Sequence, residues 1–177
     1  AVKRIYGGPT TSDGANLTAG GLVPGTELNW LGPIVAADGG PGFSLKAAED
    51  SLRYFAFDED PGPTYKLEQF DLDRDAERLD FMQQLVGAPS PDLRRFRNRG
   101  GRLILYQGWQ DGAALGTVDF YATATDTLGG EEDTLPFFRL FMVPGMNQCG
   151  GGPGANTFDL IHVLQDWVEF GKAPDSI

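Results

Sequence analysis

The chain has 177 residues, of which 41% are hydrophobic and 22% charged, and its formal net charge at pH 7 is −11. This length allows one domain or two small ones with a sizeable core, and the acidic excess repels phosphate backbones and anionic lipid surfaces. With one cysteine and one histidine, Cys149 and His162, the chain cannot form a Cys/His zinc site or an internal disulfide. No apolar run approaches the roughly 18 to 20 residues of a membrane span, so we expect neither nucleic acid nor membrane as a partner.

The first 70 residues contain most of the turn signals, and we expect an irregular segment with one short helix near residues 44–56. Apolar side chains at helical spacing predict an amphipathic helix over residues 73–86. Its acidic beginning, residues 71–75, invites a calcium interpretation. The glycine and bidentate glutamate of an EF-hand are absent at the required spacing, so a charged helix start is favoured. A second helix is predicted to begin at Ser90, a good N-cap, and to end at Gly100.

The last 75 residues predict strands at Leu103–Tyr106 and Phe137–Val143 and helices near residues 116–128 and 157–170. Because both strands are nearly continuously apolar, they are typical of a parallel sheet covered on both faces, and the βαβα order indicates an α/β fold. Two strands are too few for a stable doubly wound sheet. Either the first 70 residues contain unrecognised strands, or the chain is the C-terminal part of a longer protein. We favour the second interpretation.

Ligands of open α/β sheets bind in loops at the carboxyl ends of the strands, which selects residues 107–115 and 144–156. The first loop places Asp111 five residues after Tyr106, although an Asp-Gly pair is also a common turn signal. The second loop is rich in glycine, but it lacks the spacing and the lysine of a phosphate-binding loop. From the residues alone, either loop is a candidate site and neither is assigned to a reaction.

Residues 103–111 and 141–154 together resemble the tannase and feruloyl esterase family, and so does the tail, residues 166–175. The resemblance extends through residues 70–75 and, more loosely, 2–6. It implies an α/β-hydrolase fold with a lid inserted after the nucleophile, and a secreted serine esterase that cleaves aromatic esters. By this resemblance, residues 1–88 are the end of the lid and its return to the core, and residues 89–177 are the C-terminal part of the core.

Carried over by motif, Asp111 matches the acid of the family's Ser-Asp-His triad, which orients the histidine. The histidine's position is Gln148, because the family pattern Pro-Gly-Met-x-His-Cys reads Pro-Gly-Met-Asn-Gln-Cys here. Gln107 likewise replaces the family's histidine before Gly-Trp. An amide has no lone pair basic enough to accept a proton near neutral pH, so the general base is lost. Cys149 matches the family cysteine that pairs with one beside the nucleophile, which implies a disulfide to a missing segment and a secreted or periplasmic location.

The chain contains no credible nucleophile of its own. None of its serines lies in a G-x-S-x-G elbow, and Cys149 has no base nearby in sequence. His162 falls on a polar stripe of the last predicted helix, which favours a surface histidine over a substitute base. Trp109 packs against either an aromatic acyl group or the core, and Gln107 is a weaker candidate for a substrate contact.

The resemblance therefore predicts the C-terminal portion of a serine carboxylic ester hydrolase for aromatic esters, inactive with Gln148. The alternative is a non-catalytic relative that keeps an aromatic-ester pocket or has a structural role. A further alternative is that the natural protein has histidine at positions 107 and 148. The expected partners are the upstream half of the same protein and a small aromatic ester. We expect no metal or cofactor in this chain, and the resemblance leaves open calcium in the missing half of the lid.

Overall fold

The computed structural model describes residues 1–87, 90–148 and 150–177. The chain divides into two compact units, Ala1–Pro89 and Ser90–Ile177. The division lies one residue from the predicted boundary, while the roles of the two parts as lid and core stay predictions. No helix in the described residues is long and apolar enough to cross a membrane.

The first unit consists of short helices joined by turns. Its α-helices are α1 (Val2–Gly7), α2 (Phe43–Tyr54), α3 (Leu72–Asp75) and α4 (Asp80–Val86), with 3₁₀ turns at Thr26–Asn29, Leu67–Gln69 and Ala76–Leu79. Residues 1–87 contain isolated β-bridges but no extended strand. The irregular segment and the helix predicted near 44–56 are confirmed, and α1 was not predicted.

The bounds of the helix predicted over residues 73–86 are confirmed, but the stretch is not one regular α-helix. A 3₁₀ turn separates α3 from α4, and the fully buried side chain of this stretch is Asp75. The carboxylate of Asp75 accepts the backbone N–H of Asp71, the N-cap residue of α3, at 3.0 Å, so this side chain takes part in the helix start. Val86, which lies four residues after Met82 and would share its face in a regular helix, is 56% exposed.

Asp75 is held by two arginines. Its carboxylate accepts hydrogen bonds from Nε and Nη2 of Arg74 at 2.9 and 2.6 Å and from Nη1 of Arg78 at 2.9 Å. The bonds from Arg74, followed by those from the Asp71 amide and Arg78, hold the pKa of the Asp75 carboxyl far below its usual range, and burial opposes them. The Arg78 guanidinium also lies 4.2 Å from the ring centroid of Phe57, which connects this ion-pair cluster to the aromatic core of the unit.

The carboxylates at residues 71–75 are occupied by structural contacts. Asp71 caps α3 by accepting the N–H groups of Asp73 and Arg74, and Asp73 accepts the N–H of Ser12 at 2.7 Å. This arrangement fits the charged helix start that the sequence favours over a calcium loop.

The second unit has the βαβα order that the sequence predicts. Its elements are α5 (Arg94–Asn98), β1 (Leu103–Gly108), α6 (Ala114–Leu128), α7 (Glu131–Thr134), β2 (Phe138–Val143) and α8 (Leu160–Phe170). β1 and β2 pair in parallel, with Leu103 opposite Phe138 and Gly108 opposite Val143. These two strands form the whole sheet of the described residues.

The core of this unit lies between the sheet and α6. Ala124 and Leu128 of α6 are buried with Phe137 and Phe138, and Leu103 and Leu105 of β1 pack against them. The Tyr121 ring meets Phe138 edge-on at a centroid distance of 4.9 Å. The helix predicted near residues 116–128 is confirmed, with its beginning two residues earlier.

The predicted start of the preceding helix is wrong. We expected Ser90 to cap it, but α5 begins at Arg94 with Leu93 at the N-cap. The Asp92 carboxylate accepts both the backbone N–H of Arg94, at 3.1 Å, and its guanidinium, so a local turn takes up residues that the pattern assigned to the helix. The stop at Gly100 is confirmed, and its φ of 78° suits glycine.

Replacing Asp75 with asparagine is expected to lower the free energy of unfolding by about 2–4 kcal/mol, because one accepting oxygen and the negative charge facing the arginines are lost. The matched control is Asp50→Asn, whose partners are the exposed Lys46 at 2.9 Å and Arg53 at 3.7 Å. Because the Asp50 side chain is itself partly exposed, its cost should stay below about 1 kcal/mol. Urea unfolding of both variants measures the difference.

Urea unfolding of the wild-type protein and Asp75→Asn, repeated over a range of pH, tests the direction of the pKa shift of Asp75. Because the folded-state pKa of Asp75 is lowered, its stabilisation is present above the unfolded pKa of about 3.9 and disappears as pH falls below it. The gap between the wild-type protein and Asp75→Asn should therefore narrow from about pH 5 downward. A gap that stays constant to pH 3 would contradict this account of the cluster.

Candidate active site

The loops that follow β1 and β2 are joined by backbone hydrogen bonds. The N–H of Trp109 donates to the carbonyl of Val143 at 3.0 Å, and the N–H of Gln110 donates to the carbonyl of Met146 at 3.0 Å. A longer bond, 3.4 Å, runs from the Gly108 N–H to the carbonyl of Gln148. The two loops selected by strand order therefore form one structural feature.

Gly108 makes this contact possible. It is buried, and a Cβ atom built on it would overlap the carbonyl oxygens of Met146 and Asn147. A glycine within an apolar strand is typical of a close backbone approach. The absence of a side chain at position 108 lets the second loop lie directly against the end of β1.

The second loop also closes on itself. The N–H of Gly154 donates to the carbonyl of Gly145 at 3.0 Å, and the N–H of Asn147 donates to the carbonyl of Gly151 at 3.1 Å. Gly145, with a φ of 73°, would place a Cβ within 3.0 Å of Gly154, so its position requires glycine. The glycines of this loop build a compact turn that carries residue 148.

Asp111 lies in a tight turn between β1 and α6 and is half-buried. Its N–H donates to the carbonyl of Gly108 at 3.2 Å, and its own carbonyl accepts the N–H of Ala114 at 3.3 Å. Oδ1 accepts the N–H of Ala113 at 2.6 Å, while Oδ2 accepts no hydrogen bond from the described residues. The turn reading of the Asp-Gly pair is therefore correct, and it leaves one carboxylate oxygen available to a further donor.

Gln148 is exposed, and the structure brings its backbone to the end of β1. No hydrogen bond joins the side chains of Asp111 and Gln148 within the described part of the chain. The arrangement is that of a carboxylate and a neutral amide at the same edge of the sheet, and the amide cannot act as a general base.

The other candidates are placed differently. Trp109 is half-buried at the start of the first loop. The side chain of Gln107 instead faces α6: its Oε1 accepts the Thr117 hydroxyl at 3.4 Å, and its Nε2 is buried with no hydrogen-bond partner in the described residues. A substrate contact by either residue stays a prediction. Cys149 lies outside the described residues.

His162 lies in the first turn of α8 and is exposed, as its polar stripe predicts. Its backbone N–H donates to the Asp159 carboxylate at 3.1 Å, which caps the helix. Trp167, on the other side of the same helix, is buried. This placement favours the surface interpretation of His162.

Sequence reasoning did not single out Gly108, Met146 or Thr117. Met146 is fully buried, and its carbonyl holds the Gln110 amide. The glycine at the end of an apolar strand was a usable signal for the loop contact, since such glycines mark close backbone approach. Nothing local marks Thr117, whose contact with Gln107 spans ten residues.

Comparison with known proteins points to one family. The family model described as tannase and feruloyl esterase matches residues 1–177. Mono(2-hydroxyethyl) terephthalate hydrolase of Piscinibacter sakaiensis is 38% identical over 206 aligned residues, covering 100% of this chain and 34% of that protein. An uncharacterized esterase of Xanthomonas campestris is 32% identical, covering 87% of this chain and 32% of its own length. The chain thus spans about a third of the length of the curated relatives it matches.

Solved structures agree on the fold. Feruloyl esterase B from Aspergillus oryzae superposes with a TM-score of 0.79 at 23% identity, over 98% of this chain and 36% of that one. Tannin acyl hydrolase from Aspergillus niger gives a TM-score of 0.71 at 19% identity, over 98% of this chain and 34% of that one. At these identities the likeness establishes the architecture and carries no further argument.

Replacing Gly108 with alanine is expected to push the two loops apart and to lower the free energy of unfolding by about 3 kcal/mol or more, as overpacking against backbone does. Gly116→Ala is the matched control, because a Cβ at position 116 meets nothing within 4 Å. In the first turn of α6 that change should leave the free energy of unfolding unchanged or raise it by up to about 1 kcal/mol. Thermal unfolding of both variants checks the contrast, and equal stability of the two would contradict the close approach.

Proposed function

Because the chain belongs to the tannase and feruloyl esterase family and has the fold of the C-terminal part of an α/β hydrolase, we propose that it supplies the acid loop and the base loop of a serine carboxylic ester hydrolase. The proposed substrates are small esters of aromatic acids. The observation that carries the proposal is the contact between the Asp111 loop and the Gln148 loop, made through the backbones of Gly108, Trp109 and Gln110.

Asp111 is the proposed acid of the triad. In such a triad the carboxylate accepts one N–H of the imidazole, fixes its tautomer and stabilises the cation that forms. The geometry of Asp111 suits this role, because Oδ1 is held by the Ala113 amide while Oδ2 is available. The half-buried turn keeps the carboxylate in place without covering it.

Gln148 stands where the family has its general base. The glutamine amide cannot take the proton of a serine hydroxyl, so the nucleophile would attack without activation. Loss of the base in a serine hydrolase costs on the order of a millionfold in turnover. We therefore propose that ester hydrolysis by the protein with Gln148 is very slow, even in the presence of the upstream half.

The upstream part of the same protein is the proposed partner. None of the chain's serines, Ser12, Ser44, Ser51, Ser90 and Ser176, lies in a nucleophile elbow, so the serine and the oxyanion hole would come from that part. Trp109 is the proposed contact for the aromatic acyl group. No cofactor is required of this chain, and calcium in the upstream half of the lid stays a prediction.

Gln148 also favours a second candidate, a relative that keeps an aromatic-ester pocket without catalysis. The two candidates differ in what a restored base would do. A site that has lost only its base regains chemistry when histidine returns, whereas a pocket that has drifted away from catalysis does not.

The test is Gln148→His in the full-length protein, assayed with p-nitrophenyl and methyl esters of aromatic acids. We expect kcat/KM to rise by about 10³-fold or more, a conservative fraction of the loss that removal of a base causes. Absence of any rise, in a folded variant, would favour the binding protein.

The control is the double variant with Gln148→His and Asp111→Asn. Asparagine keeps the size of Asp111 but does not hold the imidazole in the required tautomer, so most of the recovered kcat should disappear, by about 10³- to 10⁴-fold. A double variant as active as Gln148→His alone would remove Asp111 from the proposed triad.

Cys149 gives a separate test. We propose that it forms a disulfide with a cysteine of the upstream half, in a secreted or periplasmic protein. Alkylation of the native full-length protein without reduction, followed by proteolysis and mass spectrometry, should find the Cys149 peptide linked to an upstream peptide. A fully alkylated Cys149 would contradict both the pairing and the argument for an oxidising compartment.

A further inference from the structure

Gln107 and Thr117 lie at the two ends of the segment that carries Asp111. Gln107 is the last residue of β1 but one, and Thr117 lies in the first turn of α6. The Thr117 hydroxyl donates to Oε1 of Gln107 at 3.4 Å. This side-chain contact therefore joins the two ends of the segment 108–116. At its beginning the segment is also held by the contacts that Gly108 and Trp109 make with the second loop.

A continuous series of hydrogen bonds leads from this pair to the Asp111 carboxylate. The backbone N–H of Thr117 donates to the carbonyl of Ala113 at 3.0 Å. The N–H of Ala113 then donates to Oδ1 of Asp111 at 2.6 Å. The bond from Thr117 holds the carbonyl of Ala113, and the N–H of Ala113, in the preceding peptide group, holds one carboxylate oxygen of Asp111. Gln107 in turn holds Thr117 against the strand.

The polar side chain of Gln107 destabilises the fold, and packing alone does not explain why an amide stands at this position. Side chains alternate along a strand, so Gln107 lies on the same face as Leu103 and Leu105, which pack against the core beneath α6. Its Nε2 is buried without a hydrogen-bond partner in the described residues, a state that destabilises a fold. A leucine at this position would serve the core better, which indicates that the amide has another use.

We propose that Gln107 and Thr117 are positioning residues that hold the Asp111 turn through Ala113. We call the contact between Gln107 and Thr117, together with the bonds through Ala113, the clamp. Its effect on catalysis rests on the proposed function, because it acts through Asp111. Its effect on the local structure can be measured without an activity assay. It also assigns Gln107 a role different from the substrate contact that the sequence suggested.

The first test is hydrogen–deuterium exchange of the full-length protein, followed on peptides that cover residues 109–116. Thr117→Val removes the hydroxyl and keeps the shape, and we expect exchange in this segment to accelerate about two- to threefold, the effect of losing one long, weak hydrogen bond on local opening. Thr117→Ser should exchange like the wild-type protein. Equal exchange in the valine and serine variants would overturn the clamp.

Two further variants separate the clamp from general stability. Thr127→Val is the matched control on the same helix, because its hydroxyl donates only to the carbonyl of Thr123 at 2.7 Å, and exchange at 109–116 should not change. Gln107→Leu should leave the thermal midpoint unchanged or higher while exchange at 109–116 accelerates. A Gln107→Leu variant that loses stability without faster exchange in this segment would assign Gln107 to the core alone.

The second test uses the Gln148→His protein. Adding Thr117→Val should lower kcat about tenfold with KM unchanged, because a small displacement of an orienting group affects the reacting geometry rather than binding, and Thr117→Ser should restore kcat. A rise in KM at constant kcat for Gln107→Leu would overturn positioning in favour of a substrate contact. If Gln148→His is itself inactive, the proposed function fails, and the exchange experiment still decides the clamp.

Discussion

The close approach of two backbones at Gly108 is the constraint on which the second unit's site depends. Without a side chain at this position, the turn that carries Asp111 and the loop that carries Gln148 share hydrogen bonds at the ends of adjacent parallel strands. Parallel pairing places both carboxyl ends at one edge. The glycines at 145 and 154 complete the arrangement, because they let the second loop fold back on itself within a short distance.

In the proposed function, this arrangement retains the acid of a catalytic triad and lacks its base. The acid loop keeps a carboxylate held on one oxygen and available on the other, while the facing loop presents an amide. A carboxylate orients and stabilises an imidazole, but it does not activate a serine without one. In the proposed function, Asp111 keeps the role of the triad acid, and the glutamine at position 148 removes the general base.

Periodicity predicted the elements whose packing is local and apolar. The helices α6 and α8 and both strands lie close to their predicted positions, because apolar side chains at regular spacing must face one core. The stretch expected as one amphipathic helix over residues 73–86 is helical but divided by a 3₁₀ turn, and its buried residue is Asp75, whose arginine partners and backbone acceptor role no hydropathy pattern reveals. The start expected at Ser90 failed because Asp92 forms a competing turn.

The sequence by itself determined the α/β class, the two candidate loops and, through its resemblance, the family, since these depend on residue identity and short spacing. Only the tertiary structure decided that Gln107 faces α6 and that a series of hydrogen bonds connects Thr117 to Asp111. Such contacts join residues that are close in space because the chain reverses direction after β1. Their geometry depends on how strand, turn and helix pack together, and residue spacing does not encode it.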